Sequence, residues 1–175
     1  MPPHQPTAHT TRMTAATRAL LVVMALAAGG CTDAVPSGTA RVERIVDGDT
    51  IVVRIGRRTE RVRLIGIDAP EVAKRGEPGE CFGNDATHIL AGLAPPGSTI
   101  ALERDAEARD VYGRLLAYVS VPAGDGALLV NRELLLRGAA RTLHIEPNTS
   151  KAEEFDAAAA AARASGAGLW GSCGK

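Results

Sequence analysis

The stretch that decides the fold is RVERIVDGDTIVVRIGRRTERVRLIGI, residues 41–67. Three runs of strand length stand in it, RVERIV at 41–46, TIVVRI at 50–55 and ERVRLIGI at 60–67, each rich in Val, Ile or Leu. Asp47-Gly48 between the first two is a strong hairpin dipeptide, and Gly56 to Arg58 mark a second turn. Three consecutive strands joined by short turns predict a β-meander. The third run ends oddly. In RLIGIDAPE, residues 63–71, an arginine stands near one end and two carboxylates, three residues apart, flank a proline at the other.

Downstream, residues 72–83 form a loop rich in charge and glycine. NDATHILAGLA at 84–94 has helical spacing, with Ile89, Leu90 and Leu93 on one side and Asn84 as its cap; PPG at 95–97 stops it. STIALE at 98–103 and RLLAYVSV at 114–121 read as strands four and five, with a charged loop between them. ALLVNRELLLRG at 127–138 predicts a second amphipathic helix ending at Gly138. A third begins near Ser150, where Ser150 and Glu153 fit a capping box, and its alanine-rich body runs to Gly166, just before the single tryptophan, Trp170. There is no internal repeat. Five short strands and three helices predict a small α+β domain, and the count fits a five-stranded, partly open barrel of the OB type.

The chain has 175 residues, 45% hydrophobic and only 3% aromatic, so its core is expected from aliphatic side chains. Twenty basic residues balance twenty acidic ones. Residues 1–30 hold two arginines and no acid, which leaves 18 basic against 20 acidic residues, a net charge of −2, for the rest. Such a chain does not coat nucleic acid by bulk charge; if it handles nucleic acid, it does so at a local site. Arg12 and Arg18 precede an apolar run at 19–28 that is short for a membrane span and ends in small residues, as an export leader does. Gly29, Gly30 and Cys31 follow and resemble a lipobox in which Cys31 is lipidated, although Ala28 holds the place where leucine is usual. Ordinary secretion is the alternative, and Met13 is a second candidate start. The expected organisation is a leader at 1–31, a flexible tether at 32–40 and a folded domain at 41–173, placed at the outer face of the cell membrane or secreted. With Cys31 spent on lipid, Cys81 and Cys173 remain as an even pair, expected to form a disulfide in an oxidising compartment; two free thiols are the other reading. No CxxC pair points to zinc.

The polar residues that sit oddly in this scaffold are Asp47 and Asp49 at the first turn, Arg63 in strand three, Asp68 and Glu71 at its end, and Arg114 at the start of strand five. In a meander the first turn and the end of strand three can share one end of the sheet, bringing Asp49 and Asp68 together. Converging carboxylates repel unless a cation lies between them, and hard oxygen donors favour Ca²⁺ or Mg²⁺. Glu71 beside such a cation can take a proton from water, and the planar forks of Arg63 and Arg114 suit phosphate oxygens. Together they suit attack of water on a phosphodiester. Strict alternation puts Arg63 and Asp68 on opposite faces, so the strand must bend or end between them, at Gly66 or Pro70. Taken singly, each feature is ordinary: Asp-Gly is turn chemistry, an arginine at a strand is a solvated charge, and His88 and His144 read as surface residues. Their order along the chain carries the signal.

That order resembles the staphylococcal nuclease (thermonuclease) family. The matching pieces are VDGDT at 46–50, RLIGIDAPE at 63–71, YGR at 112–114, VNRELLLRGAA at 130–140 and GLW at 168–170, spanning roughly residues 41 to 172. The resemblance implies an OB barrel with three helices. It implies Asp49 and Asp68 as calcium ligands, with the backbone carbonyl of Ala69, where the family often has threonine, as a third. Glu71 would be the general base and Arg63 and Arg114 the phosphate-binding pair, with Asp47 and Thr50 standing beside the ligands rather than among them. The implied reaction is Ca²⁺-dependent hydrolysis of DNA and RNA to 3′-phosphate ends. His144 and Glu146 fall near places where the family has tyrosines lining a nucleotide pocket, so base stacking is expected to be poorly supplied. Two other classes remain: an OB-type module, binding nucleic acid or protein, that has lost catalysis, and an envelope lipoprotein whose acidic turn holds calcium for stability. The first typically lacks several of the site residues, and here all five charged ones are present. A monomer is the default.

Overall fold

The computed structural model describes Met1 and residues 38–173; the leader, Cys31 and residues 32–37 of the expected tether lie outside the described residues. The meander is present as β1 (Gly38–Ile45), β2 (Thr50–Ile55) and β3 (Arg58–Leu64). The β1–β2 hairpin turns at Asp47-Gly48, where the Val46 N–H donates to the Thr50 carbonyl (2.9 Å). The β2–β3 hairpin pairs Ile55 with Arg58 across a two-residue turn. β1 begins three residues inside the expected tether, because Gly38, Thr39 and Ala40 pair with β5 (Thr99–Glu103).

β5 pairs in turn with β6 (Leu115–Ala123), and β6 runs parallel to β3, with Val62 opposite Leu115 and Leu64 opposite Ala117. That contact closes β1, β2, β3, β6 and β5 into a five-stranded barrel. Ile51, Val53, Val62, Leu64, Ile100 and Val119 fill it, none more than 1% exposed. The expected third strand stops early. After Leu64 the chain turns at Gly66 (φ +77) and resumes as β4 (Ile67–Asp68), which pairs with β8 (Arg141–Thr142). A Cβ on Gly66 would stand 2.6 Å from the Phe155 ring, so the break and the packing of the last long helix both require glycine there.

Three helices cover one side: α1 (Gly83–Leu93), α2 (Val130–Leu136) and α3 (Ala152–Ser165), followed by the short α4 (Leu169–Ser172). Their ends correct three expectations. The N-cap of α1 is Phe82 at φ +72, and Asn84 lies inside the helix. The expected second helix is split: Gly126–Leu129 forms β7, a hairpin arm on β6, and only Val130–Leu136 is helical. Pairing with β6 from Ser120–Leu129 to Ala123–Gly126 holds 126–129 as a strand, which a local helical pattern cannot anticipate. α2 does end at Gly138, whose N–H donates to the Leu135 carbonyl (3.0 Å) while Ala139 donates to Leu134 (2.8 Å). The Ser150–Glu153 box does not form. The Ser150 hydroxyl donates to the Tyr118 hydroxyl (3.3 Å), and its N–H goes to Asp105 (3.0 Å).

Asn131, fully buried on α2, bolts this side to the barrel. Its Oδ1 accepts from the Val119 N–H (2.8 Å) and its Nδ2 donates to the Ile65 carbonyl (2.9 Å), just where β3 breaks. Cys81 and Cys173 form the expected disulfide, with Cα atoms 5.9 Å apart, tying the start of α1 to the chain's end.

Candidate active site

The break at Gly66 answers the problem of strand alternation. It lets Asp68 turn back toward Arg63, five residues earlier on β3. The Arg63 Nη1 donates to the carbonyls of Leu64 and Ile67 (2.7 Å each), so the guanidinium is anchored by the very backbone that bends. Its Nη2 then meets Asp49 Oδ2 at 3.1 Å and Asp68 Oδ1 at 3.0 Å. The two carboxylates expected to converge do so, on one nitrogen that supplies their countercharge.

Asp49 is 7% exposed, fixed by the first hairpin turn. Oδ2 accepts from the Ala69 N–H (2.9 Å) and Oδ1 from the Thr50 hydroxyl (3.0 Å). Asp47 closes the turn by accepting the Asp49 N–H (3.2 Å). Thr50 and Asp47 thus both contact Asp49. Burial raises the Asp49 carboxyl to about 6, against the opposing pull of Arg63 and of the Ala69 N–H, with Asp47 pushing it further up. Desolvation thus outweighs the stabilisation that Arg63 gives this carboxylate. Asp68, by contrast, is more than half exposed.

Among the described residues, no group of three or more His, Cys, Asp or Glu side chains is arranged to hold a metal ion. The set here is two carboxylates joined through the Ala69 backbone. Its oxygen chemistry, its excess negative charge and the raised Asp49 fit a hard divalent cation. Asp49, Asp68 and the Ala69 backbone are the groups that could hold one.

Glu71 stands apart from this trio. Its carboxylate is about half exposed and pairs with Lys74 (2.6 Å), a contact that raises the lysine through its hydrogen bond and charge. Its backbone is gripped from both sides by Glu80: the Glu80 N–H donates to the Glu71 carbonyl (2.8 Å), and the Glu80 carboxylate accepts the Glu71 N–H (3.1 Å). Gly83 packs directly on the Glu71 carbonyl, where any Cβ would overlap it. Neither Glu80 nor Lys74 was apparent from the sequence, because the grip depends on how the 72–83 loop folds back.

Arg114 reaches the site from the other side of β3. Asp110, four residues earlier, accepts its Nε–H (2.6 Å) and its backbone N–H (2.9 Å), and the guanidinium lies 5.6 Å from the Tyr112 ring centre. Burial pushes Asp110 up, but its hydrogen bonds from Arg114 and that charge outweigh it and hold the carboxyl below the usual range. Arg63 and Arg114 line one cleft of about 540 Å³ together with Tyr112, Leu143 and Ile145. These last three and Asp110 are site residues that single positions in the sequence did not reveal. His144 and Glu146, expected near this pocket, point elsewhere: His144 Nε2 bonds Asp156 (2.9 Å), and Glu146 accepts from Thr149 (3.5 Å). The segment after β8 alternates, so Leu143 and Ile145 face the cleft instead.

A family model described as staphylococcal nuclease homologue matches residues 61–172. A thermonuclease of Staphylococcus hyicus is 32% identical over 132 residues, covering 75% of each chain. A thermonuclease of Staphylococcus intermedius is 38% identical over 107 residues, 61% of each chain. Endonuclease YhcR of Bacillus subtilis (strain 168) is 37% identical over 139 residues, 74% of this chain but 11% of that protein. The chain therefore spans about three-fifths of one of these relatives and about a tenth of another.

Proposed function

The chain belongs to the staphylococcal nuclease family, and from that premise we propose that it is a calcium-dependent nuclease that hydrolyses DNA, and RNA as well, to 3′-phosphate products. The observation that carries this reading is the meeting of Asp49 and Asp68 on Arg63, with Arg63 and Arg114 lining a single cleft. Lone acidic turns and lone arginines are common; two guanidiniums on one opening, one of them tied to two converging carboxylates, form a place for a phosphodiester.

In this reading the phosphodiester lies between Arg63 and Arg114, whose forks take the negative charge that grows on its non-bridging oxygens. Asp110 holds Arg114 in place, and the carbonyls of Leu64 and Ile67 hold Arg63. Glu71 accepts a proton from the attacking water. The new bond joins water oxygen to phosphorus, the bond from phosphorus to the 5′-oxygen breaks, and that oxygen takes a proton from solvent as it leaves, while Glu71 returns its proton to solvent afterwards. A bound Ca²⁺ would offset the carboxylates' charge and that of the phosphate. Tyr112, Leu143 and Ile145 offer an apolar wall for the sugar and base, with one aromatic ring for stacking. The leader reading and the Cys81–Cys173 disulfide both support an exported protein, secreted or held by lipid at Cys31.

The Glu71–Lys74 pair favours one second reading, a non-catalytic OB-type lipoprotein with a structural calcium site, because it occupies the base. End-labelled single-stranded DNA separates the two. The nuclease gives calcium-dependent fragments whose 3′ ends shift in mobility after phosphatase treatment. The binding module melts higher with calcium and leaves the strand whole.

A further inference from the structure

The barrel's register places a set of arginines on one outer face. Arg63 is opposite Thr50; Arg61 is opposite Val52, itself opposite Arg44; Thr59 is opposite Arg54, itself opposite Arg41. Paired residues on neighbouring strands share a face, so these three rows lie side by side and alternate with the inward Val42, Val53 and Val62. Arg41, Arg44, Arg54 and Arg61 are exposed, and Arg57 stands exposed at the β2–β3 turn. Glu43 pairs with Arg54 and accepts from Thr59. Glu60 alternates to the other face and is held by Arg109. Among the described residues, no carboxylate forms an ion pair with Arg41, Arg44 or Arg61. Arg41 directly opposite Arg54 is a like-charge pair, and Glu43 offsets it only on the Arg54 side. In a chain with no net charge, that concentration of positive side chains is local to this face.

We propose that this face of β1–β3 is a second nucleic-acid contact, a track of guanidiniums that continues from Arg63 and holds the substrate strand's phosphates beyond the point of cleavage. It rests on the nuclease reading. Continuity decides for nucleic acid over an anionic membrane: Arg61 is two residues before Arg63 on the same face of the same strand, so a strand leaving the cleft along β3 meets Arg61 next. Successive rows are roughly 7 Å apart, and three rows extend roughly 14 Å. That length matches about four charges of a stacked single strand at ~3.4 Å each. Arginine suits this work because its fork binds phosphate in two places at once.

The test compares full-length protein with R44Q/R61Q, positions outside the cleft, and with R132Q/R137Q, on α2 and just past its end, as a control for net charge. Binding of single-stranded 3-mer and 12-mer DNA is measured with chelator between 50 and 200 mM salt. Two lost phosphate contacts should lower the salt slope for the 12-mer by about 1.4, at ~0.7 each, and leave the 3-mer and the control unchanged. With calcium, KM for the 12-mer should rise about tenfold and kcat stay level. An unchanged slope, equal losses at both lengths, or loss of binding to phosphatidylglycerol vesicles with strand binding intact would overturn the track. If the parent cleaves both lengths and the variant matches it, the track fails and the nuclease reading stands. If the parent cleaves neither while slope and length dependence follow the arginines, the nuclease reading fails and the track stands.

Discussion

Breaking the Cys81–Cys173 bridge tests both the stability of the domain and the placement of Glu71. The bridge spans a sequence separation of 92 residues. The loop-closure relation for that length gives about 4.6 kcal/mol of stabilisation through the unfolded chain, and the loss of native disulfides commonly costs about 2–5. The described domain of some 136 residues should gain roughly 0.29 kcal/mol/K of unfolding entropy near its midpoint. A loss of about 2 to 4.6 kcal/mol then lowers Tm by roughly 7–16 °C. The assay is thermal unfolding by circular dichroism of C81S/C173S beside the oxidised parent. Cys81 adjoins Glu80, which grips the Glu71 backbone at 2.8 and 3.1 Å. At 25 °C, with the variant still folded, kcat for DNA cleavage should therefore fall on the order of tenfold, short of the ~100-fold that a 1 Å misplacement can cost, while KM stays level. A Tm change below about 3 °C would refute the loop-closure reasoning, and an unchanged kcat would refute the link to Glu71.

Other expectations follow from single contacts. Gly66→Ala adds a Cβ against the Phe155 ring at a positive φ; it should cost about 1–3 kcal/mol in chemical denaturation and weaken cleavage by displacing Asp68. Tyr112→Ala removes an exposed ring from the cleft wall; stability should stay within about 0.5 kcal/mol, while KM rises, stacking being worth ~1–3 kcal/mol per base. Calcium at a hundred times its Kd should stabilise the protein by about 2.7 kcal/mol in thermal melts, and Asp49→Asn should abolish that shift. Asp110 is held below its ordinary value in the fold despite its burial, so its contribution is fully present above the unfolded carboxylate pKa of about 3.9 and is lost as pH falls through the lower folded value. Acid titration of Asp110→Asn should accordingly show less loss of stability below about pH 4 than the parent.

The meander was legible because β1 to β3 are joined by short turns with Asp-Gly and Gly signals, so local pattern and tertiary pairing agree. The parallel β3–β6 contact that closes the barrel was not, since Val62 and Leu115 lie far apart in sequence. β7 was read as helix because its four residues take their conformation from β6. Asn84 and Ser150 carry good capping chemistry, but Phe82 takes the first cap and the Tyr118–Asp105 pair draws Ser150 away. In the candidate site, the meeting of Asp49, Asp68 and Arg63 was legible because hairpin and strand break lie within one stretch of 20 residues, 49–68. Glu80, Asp110, Leu143 and Ile145 were not, because each acts through a loop whose path the local pattern leaves open.

In the proposed reading these residues form a working phosphodiesterase centre with Glu71 as its base. Single-turnover cleavage of single-stranded DNA by the full-length protein, with Ca²⁺ and with chelator, beside Glu71→Gln, tests it most directly. The account predicts calcium-dependent cleavage that falls about 10²–10⁴-fold in Glu71→Gln, with both proteins folded and melting alike. No cleavage by folded, calcium-bound parent protein, or equal rates in the two, would contradict it.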